Sequence, residues 1–249
     1  MSRPQRPLVI AHRGASGHLP ENTFPAYRLA LEQGADMIEI DLHCTRDGAV
    51  VVTHDGELSE LGGSGEIADA TLAEVRSLDA GGGERVPTLD EVLDCFGPRI
   101  PFVLEIKRGS RGEYPGLEAE VVSAVERRGL LGRTLFSCFD DGVLARLRSH
   151  SAEARIGCLV SPRRPGRPLE RARAVGAEAL HPWVGLVEAD LVRAAHAEGL
   201  AVYAFTVDDE EEMRRLLDLG VDGLFTNLPD RLRAVLLGGA ISPEGESSP

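Results

Sequence analysis

Two short acidic patterns sit inside otherwise apolar runs. Glu39-Ile40-Asp41 falls within Met37–Cys44, and Glu105-Ile106-Lys107 falls within Phe102–Lys107. Both runs read as strands, and a spacing of i, i+2 puts the two members of each pair on one face. Apolar strands seldom spend inward positions on charge. Glu39, Asp41 and Glu105 therefore form a candidate set of three carboxylates, hard oxygen ligands of the kind that suit one divalent cation, Mg2+ or Ca2+. A bound cation would also relieve the repulsion that three clustered acids impose on one another. The competing reading is a structural ion network with Arg13 and Lys107, although burying so much charge for stability alone rarely gives a net gain.

His12 and Arg13 end the first strand-like run, Leu8–His12. His54 ends the run Val50–His54, which Asp47-Gly48 joins to Met37–Cys44 as a hairpin turn signal. If Arg46 pairs with Ala49, Asp41 lies opposite His54, and cross-strand partners share a face. Two imidazoles beside a metal serve as general base and general acid. Arg13 and Lys107 supply donors for phosphate oxygens. Such a set suits phosphoryl transfer.

The elements that must position these groups alternate throughout. Strand-like runs at Leu8–His12, Met37–Cys44, Phe102–Lys107, Leu135–Phe139, Arg155–Val160, Ala179–Trp183, Ala201–Val207 and Gly223–Thr226 are each followed by a helix-like run, with Val50–His54 as an excursion from the second strand. Thr88–Phe96 carries its own N-terminal signature, with Thr88 and Glu91 spaced as a capping box. Strict alternation implies parallel strands with right-handed crossovers. Eight such units in 249 residues predict an α/β fold, a (β/α)8 TIM barrel with a small insertion after strand 2, at about residues 56–86. The insertion is too short to bury its own core. A doubly wound sheet would carry a Gly-rich phosphate loop after strand 1, and His12-Arg13-Gly14-Ala15-Ser16-Gly17 lacks that spacing. One domain over 1–239 is expected, with 240–249 as a disordered tail rich in Ser, Pro, Gly and Glu.

The net charge of −13 argues against a nucleic-acid partner, and an anionic ligand would need local cations. Cys44, Cys95, Cys138 and Cys158 form no C-x-x-C pair and read as buried free thiols of a reducing compartment. No apolar run suits a signal peptide or a membrane span, so a cytoplasmic protein without stable membrane insertion is expected. Nothing in the sequence assigns an oligomeric state.

Other residues carry weaker signals. His181 ends a strand before Pro182 and is a candidate to face the pocket, and Trp183 is a candidate for the barrel mouth or for the core. Arg163, Arg164 and Arg167 form a basic loop that either touches an anionic head group or is simply solvated. His18, His43, His150 and His196 have no acidic partner at telling spacing and read as solvated or core residues. Asp208–Glu212 reads as the acidic first turn of a helix.

In these residues the chain resembles the glycerophosphodiester phosphodiesterase family, from Leu8 to about Leu236. His12-Arg13-Gly14 with Pro20-Glu21-Asn22-Thr23 is similar to its opening signature. Glu39-x-Asp41, Asp47-Gly48, His54-Asp55, Pro87 to Leu93, Glu105-x-Lys107, Ser137-x-Phe139-Asp140 and Gly220-Val221-Asp222-Gly223 follow in order. The ordered series is specific where each motif alone is weak. The resemblance implies a (β/α)8 barrel, Glu39, Asp41 and Glu105 as ligands of one Mg2+ or Ca2+, His12 and His54 as the acid/base pair, and Arg13 and Lys107 at the phosphate. It implies a small-molecule glycerophosphodiester substrate cleaved to an alcohol and glycerol 3-phosphate, with a cyclic phosphate intermediate commonly proposed. Phe205-Thr206-Val207-Asp208 stands where the family often has Trp-Thr-Val-Asn, so Phe205 keeps a ring but loses the indole donor, and the resemblance implies a different hold on the substrate's glycerol end. Leu58-Ser59-Glu60-Leu61-Gly62 replaces the usual Leu-x-Arg-Thr-Thr of the insertion, which bears on head-group preference. Two other readings are a lysophospholipid or sphingolipid phosphodiesterase ending in a cyclic phosphate, and an inactive binding barrel. The first is disfavoured by the lack of an apolar docking helix, and the second by the presence of both histidines and all three acids.

Overall fold

Inward and outward residues alternate along every strand, and in the computed structural model this alternation closes into a barrel. The structure describes residues 4, 6–110, 112–163 and 166–238. Arg164 and the tail 240–249 lie outside the described residues. In chain order the elements are β1 (Leu8–His12), α1 (Phe24–Glu32), β2 (Met37–Cys44), β3 (Val50–Val52), α2 (Leu72–Val75), α3 (Leu89–Phe96), β4 (Phe102–Ile106), α4 (Leu117–Arg127) and β5 (Thr134–Cys138). There follow α5 (Asp141–His150), β6 (Arg155–Val160), α6 (Pro168–Ala174), β7 (Ala179–Pro182), α7 (Ala189–Ala197), β8 (Ala201–Ala204), α8 (Glu210–Asp218), β9 (Gly223–Thr226) and α9 (Pro229–Leu236). The strand order β1-β9-β8-β7-β6-β5-β4-β2, closed by pairing of β1 with β2, makes an eight-stranded parallel barrel, and β3 adds antiparallel to β2. This is the predicted TIM barrel.

Helix ends follow local chemistry. Thr88 and Glu91 make the expected capping box on α3, and Thr71 with Glu74 makes another on α2. Asp140 and Asp209 cap α5 and α8 with their side chains.

Residues facing outward, such as Ile38, Ile40, Leu42, Leu104 and Phe136, pack beneath the helices in the main core. Residues facing inward, among them Ile10, Met37, Val103, Leu135, Ala179, Tyr203 and Phe225, fill the barrel with a separate apolar plug. With a side-chain period of two, the next inward positions toward the C-terminal end are His12, Glu39, Glu105, Ser137, His181, Phe205 and Asn227. The layer above the plug is therefore polar, at the end of the barrel where such folds carry their active sites.

The insertion departs from expectation in one respect. Leu58, Ile67, Ala70, Val75 and Val86 do bury a small cluster of their own, completed by Val51 of β3. Short helical turns at Ser59–Leu61 and Ile67–Asp69 fold the segment tightly enough to do so. The thiols also depart from it: Cys138 and Cys158 are buried, but Cys95 is exposed on α3 and Cys44 is half-buried. Among the described residues no helix is long and apolar enough to cross a membrane.

His181 does not reach the pocket as expected. It is fully enclosed in the barrel, with its Nδ1 3.1 Å from Ser137 Oγ and its ring between Tyr203 and Phe225. Gly157 makes the room, since a Cβ there would stand 2.3 Å from the His181 ring. Burial pushes the imidazole pKa down from 6.5 to about 3. An unfolded chain binds a proton at this residue below pH 6.5 that the folded protein refuses, so stability falls as pH drops through that range. We predict that His181→Gln flattens the pH dependence of unfolding free energy between pH 6 and pH 4 by about one proton, ~1.4 kcal/mol per pH unit. Urea unfolding across that range measures it, and an unchanged slope would place the linked proton elsewhere.

Candidate active site

Sheet register assembles the polar layer. His12 pairs with Glu39 across β1 and β2, Asp41 pairs with Glu105 across β2 and β4, and Glu105 pairs with Ser137 across β4 and β5. Residues far apart in the chain thus become lateral neighbours at the strand spacing of about 4.8 Å. The chain leaves β1 with Arg13 at φ 59° and Gly14 at φ 85°, in the left-handed region. A Cβ on Gly14 would lie 2.8 Å from the backbone of Ala26, so the tight exit requires glycine. This exit aims the Arg13 amide at Glu39, whose carbonyl and Oε2 accept at 3.1 and 3.0 Å.

The carboxylates of Glu39, Asp41 and Glu105 each offer an oxygen within 4.8 Å of the others. Lys107 Nζ lies 2.9 Å from Asp41 Oδ1 and 2.7 Å from Glu105 Oε1, and Arg13 Nε lies 3.1 Å from Asp41 Oδ2. Arg13 also reaches Glu21 at 2.8 Å, and Asn22 Nδ2 donates to Asp41 Oδ2 at 3.0 Å. Despite burial, Lys107 and Arg13 hold Asp41 below the usual carboxylate range. Burial, with Asp41 and Glu105 alongside, pushes Glu39 far above it, and burial with Asp41 raises Glu105 as well. Three acids therefore face two cations, and Glu39, the least compensated of them, is the one most costly to hold ionised. Its Oε1 is buried and has no hydrogen-bond partner among the described residues. An orphaned carboxylate oxygen within an all-oxygen donor set fits a divalent cation, and Glu39, Asp41 and Glu105 are the residues able to hold one.

His12 is set by a chain of bonds that sequence reading did not find. Asp208 accepts from the Asn227 side-chain amide at 2.6 Å and from its backbone N–H at 2.7 Å. The Asn227 NH2 group is thereby committed, and its Oδ1 turns to His12 Nδ1 at 2.8 Å. A carbonyl oxygen only accepts, so His12 carries its proton on Nδ1 and keeps the Nε2 lone pair free. Loss of hydration, then the Arg13 guanidinium, pushes the His12 pKa from 6.5 to about 4, which keeps the ring neutral. In the sequence Asp208 is marked only as part of an acidic helix start. Asp209 caps α8, while Asp208 turns to the site.

His54 arrives by a different route from the one expected. The hairpin pairs Leu42 with Val52 and Cys44 with Val50, and Thr45 N donates to Ala49 O. The ladder is thus one residue out of the predicted register, and Asp41 faces Thr53. The cause is the turn: Gly48 N bonds to Thr45 O with Gly48 at φ 86°, a three-residue loop in place of a two-residue one. The strand ends at Val52, so His54 stands on the loop beyond it. Its Nδ1 lies 3.0 Å from Asp55 Oδ1.

His12, Arg13, Glu39, His54, Glu105 and Lys107 line one side of a cavity of about 330 Å³, and Phe139, Leu159, Trp183, Phe205 and Phe225 line the other. The half-exposed Trp183 is thus at the mouth, and Phe205 lies in the wall. Arg163 and Arg167 do not line it, and Arg167 pairs with Glu170 in solvent. His18 and His196 do have acidic partners, Asp230 and Asp222, brought from distant parts of the chain. His43 is buried against the backbone of His54.

Residues 12–231 match the family model described as the glycerophosphoryl diester phosphodiesterase family. A glycerophosphodiester phosphodiesterase of Caldanaerobacter subterraneus is 37% identical over 90% of this chain and 96% of that protein. One from Bacillus subtilis is 34% identical over 94% of this chain and 88% of that protein. Among solved structures, an Oleispira antarctica phosphodiesterase in complex with the product sn-glycerol-3-phosphate is 33% identical with a TM-score of 0.81, covering 93% of this chain and 97% of that one. The shared barrel and the nearly full-length match agree: the chain belongs to the glycerophosphodiester phosphodiesterase family of phosphoric diester hydrolases.

Proposed function

We propose that this chain hydrolyses glycerophosphodiesters to an alcohol and glycerol 3-phosphate, with His12 as general base and His54 as general acid. The observation that carries the reading is the convergence of two imidazoles, two cations, Glu39 and Glu105 on one cavity, with a buried Asp41 oxygen within 4.8 Å of both carboxylates. The product bound to the Oleispira relative supports glycerol 3-phosphate as the product here.

The assignment of roles follows from the hydrogen bonds. His12 offers a lone pair at Nε2, so it takes the proton from the attacking hydroxyl as the new O–P bond forms. His54, half-exposed at the rim with Asp55 behind Nδ1, gives a proton to the alcohol oxygen as its bond to phosphorus breaks. When a cyclic phosphate of the glycerol hydroxyl forms first, water opens it by the reverse pair of transfers. Arg13 and Lys107 donate to the non-bridging phosphate oxygens, which carry the charge of the transition state. Glu39, Asp41 and Glu105 would hold Mg2+ or Ca2+, which supplies Lewis-acid neutralisation of phosphate charge. The apolar wall with Phe205 packs the C–H face of the substrate and excludes water.

His12→Ala and His54→Ala should each lower kcat on glycerophosphocholine by at least about 100-fold, within the usual range for general acid–base groups. Circular dichroism should stay native, and near-normal turnover in either variant removes that residue from the mechanism. If His54 is the acid, His54→Ala should lose far less on a p-nitrophenyl diester, whose leaving group needs no proton. Equal losses on both substrates would contradict the assignment. Chelation should abolish turnover and Mg2+ or Ca2+ restore it, as read in a coupled glycerol 3-phosphate assay.

A further inference from the structure

His54 is the catalytic candidate with the least support from the barrel. The last backbone bond from its side of β3 is Thr53 N to Asp41 O, at 3.1 Å. Beyond it, the nearest backbone anchor is Gly56 O, which accepts from Ile67 N inside the insertion at 2.9 Å. The imidazole itself contacts Asp55, a residue about half exposed. What holds the His54 backbone between these points is the side chain of His43.

His43 follows Glu39 and Asp41 at the next i, i+2 position of β2, yet it does not line the cavity. Its ring is 1% exposed. One nitrogen, Nε2, lies 3.0 Å from the His54 carbonyl oxygen, and the other, Nδ1, lies 2.7 Å from the Tyr114 hydroxyl. The carbonyl can only accept, so Nε2 carries the proton. The neutral ring then accepts from Tyr114 through Nδ1. Tyr114 is itself buried in the loop between β4 and α4, with its ring edge-on to His43 at 5.6 Å. Small residues close the packing: a Cβ on Gly56 would stand 3.4 Å from His43, and one on Gly109 would stand 3.1 Å from the Tyr114 hydroxyl.

We propose that His43 is a positioning residue for His54, with Tyr114 setting its tautomer. The relay runs from the β4–α4 loop through β2 to the peptide of the second catalytic histidine. It fixes where that imidazole stands relative to the acidic side of the cavity while leaving its ring at the rim. The inference rests on the role of His54 proposed above.

The test is a double-mutant cycle on the full chain with glycerophosphocholine and Mg2+. His43→Phe keeps the volume but removes both hydrogen bonds, and should lower kcat about 10- to 100-fold with KM within about 3-fold, the size expected for misplacing a catalytic group. His43→Gln restores a donor to the carbonyl and an acceptor for Tyr114, and should recover most of the loss. In a His54→Ala background, His43→Phe should cost nothing further. If His43→Phe does not fold, Tyr114→Phe carries the test, with a smaller fall in kcat, KM unchanged and no effect when His54 is Ala. A full additional loss in the His54→Ala background, or wild-type kcat in both His43→Phe and Tyr114→Phe, overturns the inference and leaves the role of His54 intact. High turnover in His54→Ala alone overturns both.

Discussion

Three carboxylates share one layer of a β-barrel with two cations, and much of the surrounding structure answers that imbalance. The layer below is an apolar plug, so charge cannot retreat into the barrel. Parallel strands hold neighbours at nearly fixed spacing, so the acids cannot move apart. Lys107 and Arg13 take up Asp41 and part of Glu105, and Asn22 satisfies a further Asp41 oxygen. Among the described residues the Glu39 carboxylate receives only the Arg13 amide, and it receives that because Arg13 and Gly14 adopt left-handed backbone where β1 ends. A divalent cation would supply the compensation that Glu39 lacks.

The two histidines are supported in opposite ways. His12 ends a barrel strand, and its ring is locked through Asn227 and Asp208 from the far side of the closure between β1 and β9. Its pKa is pushed down to about 4, so the ring is neutral. His54 stands on a loop beyond a short antiparallel strand, with its ring open to solvent and its peptide tied down by a buried side chain. In the roles proposed above, a base with a free lone pair benefits from a rigid setting, and an acid that exchanges protons with leaving alcohol and solvent benefits from exposure, with its position fixed through the backbone. The insertion that follows His54 builds a small core of its own around Val51, so the loop is clamped at both ends.

Much of this was legible in the residues themselves. Alternation of apolar runs with helical runs, punctuated by glycine, is a local pattern, and it marked the strands to within a few residues. Glu39 with Asp41 and Glu105 with Lys107 declared a shared face through their spacing alone, because side-chain direction in a strand has period two. Other features were not local. The hairpin register turned on whether Gly48 sits within a two- or three-residue loop, a choice that shifts every partner by one. His181 looked like a pocket residue because strand-end position marks direction but not depth.

By itself, the sequence determined the alternation of elements and the shared face of Glu39 with Asp41 and of Glu105 with Lys107. Each of these depends on neighbours a few residues away. The tertiary structure alone decided the proton position on His12, the burial of His181 beneath the cavity and the tie between His43 and the His54 peptide. These depend on hydrogen bonds made after the barrel closes: His12 and Asn227 are 215 residues apart, and no local pattern encodes which atom of one will face the other.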